Sequence, residues 1–405
     1  MGAMADICSC PTITNIFTLS NLIRLTVFLF AASKINTMNF SHEQNTLLSL
    51  IKASLCLLKN REAFLDFPDG LDWNSLVNLA ARQGVLCVAR DGLVQMEGLS
   101  RELLIRWELS VQKLEARNKR QRAVIKELVA LFRENGIEML LLKGIGLSEL
   151  YPDPNHRECG DIDIFLFGDY EKGNRVIEDF GIEVEKEGSK HSKFFFKGVP
   201  VENHKTFLNV EYTKADKNLE KHLHKVLAEQ GFDTIMTDDT QIHIPTPDFT
   251  AIFLSRHDIT HFLASGLVLR HFCDLALFFE RNKARIDFAN FEKVMRGNRQ
   301  YSLICSFLAI GHKYLGMPNE NFPDFLNDRQ QVEILTSRVL EDTFFNKYRS
   351  IDKNELETMW VPLRKLLGVK MLFRSKWKYD LMENGLFFKS FMFRIHQNFQ
   401  PQNWN

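Results

Sequence analysis

The chain has 405 residues, 45% hydrophobic and 25% charged, an ordinary globular composition with room for two or three domains. Lys plus Arg equal Asp plus Glu at 51 each, so net charge gives no argument for nucleic acid or an acidic membrane as partner. Seven cysteines, an odd number with no CxxC pair, argue against a disulfide framework and fit a reducing, cytoplasmic setting.

Residues 25–32 (LTVFLFAA) form an apolar run after Arg24 that is too short to span a bilayer as a helix. Met38 opens a segment that reads like the start of an ordinary protein. Residues 1–37 are therefore read as a dispensable leader or a misassigned start. A secretion signal is the lesser alternative, because the cysteines downstream do not support export.

Residues 38–136 read as an N-terminal helical region. Ser41 and Gln44 have capping-box spacing, and Leu47, Leu48, Ile51 and Leu58 follow on one stripe. A second helix is expected over 73–83, before Gly84. A long one is expected over 101–135, carrying Leu104, Trp107, Val111 and Leu114, then Val124, Leu128 and Leu131, with Gly136 as its stop. The basic run inside it (RNKRQR, 117–122) reads as a solvated helix face rather than a nucleic-acid or phosphate contact.

Residues 137–246 alternate. Strands are expected at 138–142, 161–167, 182–185, 193–196, 199–204 and 241–244, with helices at 145–151, 170–179 and 219–229. That is a small mixed sheet with helices on one side, so the fold class is α+β with helical flanks. Residues 247–405 read as helical. Phe249, Phe253, His257 and His261 fall four apart in one column, and helices are expected at 268–280, 291–311, 329–344 and 360–373. The tail over 376–399 is aromatic and basic, and reads as a packed terminal helix rather than a membrane-surface one.

The chemistry concentrates in residues 138–167. Asp161 and Asp163 stand two apart in a strand, so they share one face while Ile162 and Ile164 face the core. Strand interiors avoid aspartate, and a repelling carboxylate pair points to a bound divalent cation. The plainer alternative is a loop cap, or pairing with Lys143 and Arg157. Glu202, in VPVENH on a later strand, is the candidate third ligand, helping to activate an attacking hydroxyl, and His204 shares its face. Lys143-Gly144 falls where a strand turns into a helix, a place suited to phosphate; Arg157 offers a planar fork for the same ligand. HDITH echoes a zinc-binding helix, but with no third ligand its histidines read as the helical wall of a cleft.

The stretch KGIGLSELYPDPNHRECGDIDIFL resembles the signature of the uncharacterised nucleotidyltransferase family within the DNA-polymerase-β-like superfamily. Lys143, Gly144, Tyr151, Pro152, Asp153, Pro154, Arg157, Gly160, Asp161 and Asp163 match, and Glu202 with His204 fits a later element. Arg270 and Asp274 resemble the helical region that follows. The broader superfamily carries a second glycine or a serine after the first; here Ile145 stands there and Gly146 comes one place late.

The resemblance implies a polymerase-β-like core that moves a nucleoside monophosphate from a nucleoside triphosphate to a hydroxyl acceptor, releasing pyrophosphate. Mg²⁺, with Mn²⁺ as alternative, would sit on Asp161, Asp163 and Glu202, and the nucleotide on Lys143, Gly144, Arg157 and His204. The acceptor, a small molecule, sugar or protein, is not supplied by the resemblance. The rivals are a silent nucleotide-binding scaffold on the same fold and a toxin-like enzyme modifying protein or tRNA.

Overall fold

The computed structural model describes residues 40–55, 67–93, 99–186, 190–211, 213–237, 239–318, 329–345 and 377–378. All belong to one unit, Phe40–Asn405. The expectations for residues 1–37, the helix at 360–373 and most of the tail lie outside the described residues.

The first four helices are α1 (His42–Leu55), α2 (Trp73–Arg82), α3 (Leu86–Asp91) and α4 (Arg101–Glu134). The capping box forms as its spacing requires, with Ser41 N donating to Gln44 Oε1 at 2.9 Å and Gln44 N to Ser41 Oγ at 3.3 Å. Helix α4 begins where Ser100 Oγ accepts from Leu103 N, and ends before Gly136, whose φ of +63° suits a residue without Cβ. At 34 residues it runs about 51 Å, long enough to serve two layers. Its first half buries Trp107, whose indole donates to Leu86 O at 3.1 Å. Its second half lays Val124, Ile125, Leu128 and Phe132 against the sheet.

The sheet contains β1 (Leu140–Leu141), β2 (Ile162–Phe165), β3 (His191–Phe196), β4 (Val199–His204), β5 (Phe232–Thr237) and β6 (Thr240–Pro245). Their order is β3-β4-β2-β1-β6-β5. The β2–β4 and β1–β6 pairs are parallel, and the other neighbours antiparallel, so the sheet is mixed. Ile162, Ile164, Val201, Phe194 and Phe196 share the core with α4. Full burial of such side chains contributes roughly 1.5–3 kcal/mol each, which fixes which face of β2 and β4 points inward. Between the strands lie α5 (Ile145–Ser148), α6 (Tyr170–Asp179) and α7 (Lys214–Gln230).

Beyond the sheet come α8 (Pro247–Ala264), α9 (Leu269–Asn282), α10 (Phe288–Gly297), α11 (Tyr301–Leu315) and α12 (Arg329–Phe345). These pack with the N-terminal helices: Gln83 accepts from Leu269 N through its side chain and from Arg270 N through its carbonyl, and its amide donates to Thr343 O. The helices at the two ends of the sequence are thus joined through buried polar contacts. Lys378 is buried too, its ammonium donating to Phe262 O at 3.1 Å and Asp342 Oδ2 at 2.5 Å. No helix among the described residues is long and apolar enough to cross a membrane.

Three expectations are corrected. Residues 182–185 do not form a strand; only Glu185 pairs, with Lys193, while Ile182 and Val184 pack on the core. Alternating apolar residues there record burial, not a ladder. Strand β5 was not anticipated, because this edge strand exposes Phe232 and Met236 and lacks the usual inward apolar face. The helix expected at 291–311 is two helices, broken where Arg299 adopts a φ of +58°.

Candidate active site

Residues 151–160 lead into β2, and the basic run of α4 holds them in place. Asn118 Nδ2 donates to the carbonyls of Asn155 and Arg157 at 2.6 and 2.7 Å. Gln121 and Arg117 donate to Gly160 O at 2.6 and 3.1 Å. Within RNKRQR the amides Asn118 and Gln121 are buried and clamp the loop, while Arg117, Lys119 and Arg120 lie on the solvated face expected of them. Arg122 meets Glu149 at 2.6 Å and closes the same seam.

The loop delivers Asp161 and Asp163 to the face of β2 opposite Ile162 and Ile164. In register, Asp163 stands beside Glu202 on the parallel neighbour β4, and Glu202 stands opposite Lys193 on β3. One carboxylate oxygen from each of Asp161, Asp163 and Glu202 falls within 4.8 Å of the other two. The structure therefore brings together the three acids named from the sequence.

Each acid has a different electrostatic setting. Burial pushes Asp163 up, but Lys143, with Nζ 3.2 Å from Oδ2, and His204, with Nε2 3.0 Å from Oδ1, outweigh it and hold it below the ordinary range. Even so, Oδ2 is buried and accepts no hydrogen bond among the described residues. Burial likewise opposes ionisation of Glu202, yet His204 and Lys193 pull it down to about 2. Lys193 Nζ lies 2.8 Å from its carboxylate. Asp161 goes the other way: burial, then the like charge of Asp163, raises it. Among the described residues no ion pair or hydrogen bond from a side chain reaches the Asp161 carboxylate. Two of the three carboxylates have protein cations in contact, and the third feels the surrounding lysines only at longer range.

Lys143 is only 18% exposed in its side chain. Burial would depress its ammonium, but Asp163 and Asp161 raise it. Its Nζ also approaches His257 Nε2 at 3.4 Å, which places the column from α8 on the opposite wall. The rings of Phe249, Phe253, His257 and His261 follow at 5.8, 6.1 and 4.5 Å, so the spacing-four reading of that helix holds. Gly144 opens α5 at φ +69°, ψ −116°, a conformation closed to L-residues without strain. A cavity of about 360 Å³ includes Lys143, Gly146, Ile244 and Arg285 in its lining but none of the three acids, so it adjoins the acidic cluster rather than containing it.

Two residues expected at the nucleotide occupy other roles in this geometry. Arg157 is buried, with Nε and Nη2 donating to Asp274 at 2.7 and 2.8 Å and Nη1 to Cys159 Sγ. Tyr151 OH donates to the same Asp274 at 2.7 Å. These contacts tie the loop to α9. His204 is buried behind Asp163, its other nitrogen 3.3 Å from Thr206 O. Sequence reasoning overlooked His191 and Lys190. His191 lies opposite His204 on β3. Lys190 precedes it, and burial, then Lys143, lowers its ammonium. Among the described residues Lys190 has no ion-pair partner. The signal was available in HSKFFF, where His191 and Lys193 stand two apart and so share one face of the strand.

A mixed sheet that gathers three carboxylates beside lysines has the hard oxygen donors that a divalent cation requires. The buried Asp163 Oδ2, which has an ion pair but no hydrogen bond, and Asp161, which has no side-chain ion pair among the described residues, fit such an ion. This chain belongs to the uncharacterised nucleotidyltransferase family, whose sequence model matches residues 69–314, well over half of it. Neither a curated protein nor a solved structure matches the chain.

Proposed function

We propose that the protein moves a nucleoside monophosphate from a nucleoside triphosphate to a hydroxyl acceptor, releasing pyrophosphate, on a polymerase-β-like core spanning residues 137–246. The observation that carries this reading is the meeting of Asp161, Asp163 and Glu202, with the Asp161 carboxylate in no side-chain ion pair among the described residues. A Mg²⁺ or Mn²⁺ ion held there would neutralise phosphate charge, the main requirement of phosphoryl transfer.

The chain's own residues position the reactants. Lys190 is the cation we assign to the phosphates, since Lys143 and Lys193 already pair with Asp163 and Glu202. Gly144 supplies a bare backbone turn beside the acids, its Cβ position 3.6 Å from Asp161 O. Glu202, beside Lys193 and His204, serves as the third ligand and helps to activate the acceptor hydroxyl. Arg157 and His204 act as supports, one for the loop and one for Asp163.

A second reading, a silent nucleotide-binding scaffold, is favoured by Lys143, whose ammonium sits 3.2 Å from Asp163 where it competes with a metal ion. Incubation with each labelled triphosphate and Mg²⁺ or Mn²⁺ separates the two. The enzyme reading requires pyrophosphate release by wild type and its loss in Asp161→Asn, a change at a residue with no structural partner. Equal release by both proteins sinks it. Nucleotide binding with no release supports the scaffold.

A further inference from the structure

Strands β3 and β4 are joined by the two-residue turn Lys197-Gly198, with φ of +48° and +73°. Two positive φ values in a two-residue hairpin loop match the twist of the strands and fix their register. That register sets His191 opposite His204 and Lys193 opposite Glu202, all four on the acidic face. His191, Glu202 and His204 each offer one ligand atom within 4.8 Å of the others.

The distances discriminate between ordinary pairing and ligation. His191 Nε2 lies 3.6 Å from Glu202 Oε1, and His204 Nε2 lies 3.6 Å from Glu202 Oε2. Both are longer than a hydrogen bond, roughly 2.7–3.2 Å; His204 Nε2 is held instead by Asp163 Oδ1 at 3.0 Å, a bond it gives up to ligate a metal. Ligands on a tetrahedral ion with bonds of about 2.1 Å stand about 3.4 Å apart; the two 3.6 Å separations, one to each Glu202 oxygen, leave a small closure to reach that geometry. His204 Nδ1 faces the Thr206 carbonyl at 3.3 Å, the outer contact that turns Nε2 inward on a metal-binding histidine. His191 Nδ1 is buried with no partner among the described residues. The rival cation on Glu202 is Lys193, whose side chain is 51% exposed and free to withdraw.

We propose that His191, Glu202 and His204 form a second cation site, one that takes a borderline divalent metal such as Mn²⁺, Co²⁺ or Zn²⁺. Two imidazoles and one carboxylate suit those ions and not Mg²⁺, which prefers oxygen alone. Glu202 belongs to both groups, so the site shares a ligand with the all-oxygen cluster. It does not depend on nucleotidyl transfer being the reaction.

The test is metal binding to the full chain, read without turnover. Co²⁺ titration followed by visible absorption, and nitrogen modulation in the electron spin echo of bound Mn²⁺, report imidazole ligation directly. Wild type and Asp161→Asn should both show the nitrogen signal. His191→Ala should lose one of the two imidazole couplings and bind Co²⁺ at least about tenfold more weakly. His191→Gln on the same edge strand guards against a folding defect, and should behave like His191→Ala. Absence of nitrogen coupling in wild type, or unchanged Co²⁺ binding in both His191 variants, overturns the proposal. Loss of pyrophosphate release bears only on the transfer reading, so the two can fail separately.

Discussion

Asp163 and Glu202 are register partners on parallel neighbouring strands, and both project from the face opposite Ile162, Ile164 and Val201. Neighbouring strands lie about 4.8 Å apart, so pairing alone brings the two carboxylates together. Lys143, His204 and Lys193 offset part of the repulsion, and Asp161 adds a third negative charge. The site is acidic by construction and relieved by whichever cation reaches it.

Divalent cation should therefore stabilise the fold. At a free concentration one hundred times its Kd, Mn²⁺ adds about 2.7 kcal/mol to unfolding. Denaturant titration with and without the ion measures this increment. Asp161→Asn should shrink it at the same free ion concentration, while an unchanged increment in that variant would remove Asp161 from the binding group.

Arg157 is expected to matter for stability more than for nucleotide affinity. Arg157→Met strands the Asp274 carboxylate in the interior beside the Tyr151 hydroxyl and should cost about 3–5 kcal/mol. Adding Asp274→Leu should recover much of the loss, because the uncompensated charge goes with it. Chemical denaturation of the two variants checks the pair; weakened nucleotide binding at unchanged stability would return Arg157 to the phosphates.

Gly144 and Gly160 flank the loop and should respond differently to the same change. Gly144→Ala forces an L-residue into φ +69°, costing about 1–3 kcal/mol. Gly160 lacks a positive φ, and a Cβ there meets nothing within 4 Å, so Gly160→Ala should be nearly neutral. Its carbonyl remains available to Gln121 and Arg117 in either case. Paired melting curves settle the comparison.

His156 makes the loop pH-sensitive on the alkaline side. A hydrogen bond to Asp91 raises it most; burial opposes, and Glu115 adds to the rise, leaving it at about 9. Because the folded value exceeds the usual 6.5, the stabilisation is complete below 6.5 and is lost as pH climbs through about 9. His156→Gln should flatten the stability curve over that window, as followed by unfolding at fixed pH steps. A wild-type curve already flat there would contradict the Asp91 and Glu115 contacts.

Local chemistry determined much of this protein in advance. The capping box at Ser41, the stop at Gly136, the shared face of Asp161 and Asp163, and the spacing-four column on α8 depend on neighbours a few residues away. Such patterns are written along the chain because helix and strand periods are short and fixed. The family resemblance around GDID was legible for the same reason, and the match over residues 69–314 agrees with it.

Only the tertiary structure decided which long-range partner each polar group would take. Arg157 and a phosphate are chemically well matched, but Asp274 on α9 claims the guanidinium first. The run at 117–122 keeps Arg117, Lys119 and Arg120 at the solvated surface while its buried amides, Asn118 and Gln121, hold the carbonyls of a distant loop. His191 became visible when the Lys197-Gly198 turn fixed the β3–β4 register and set it opposite His204. Hydrogen bonds and ion pairs carry no sequence separation in their energy, so their pairing waits on the fold that brings donors and acceptors within reach.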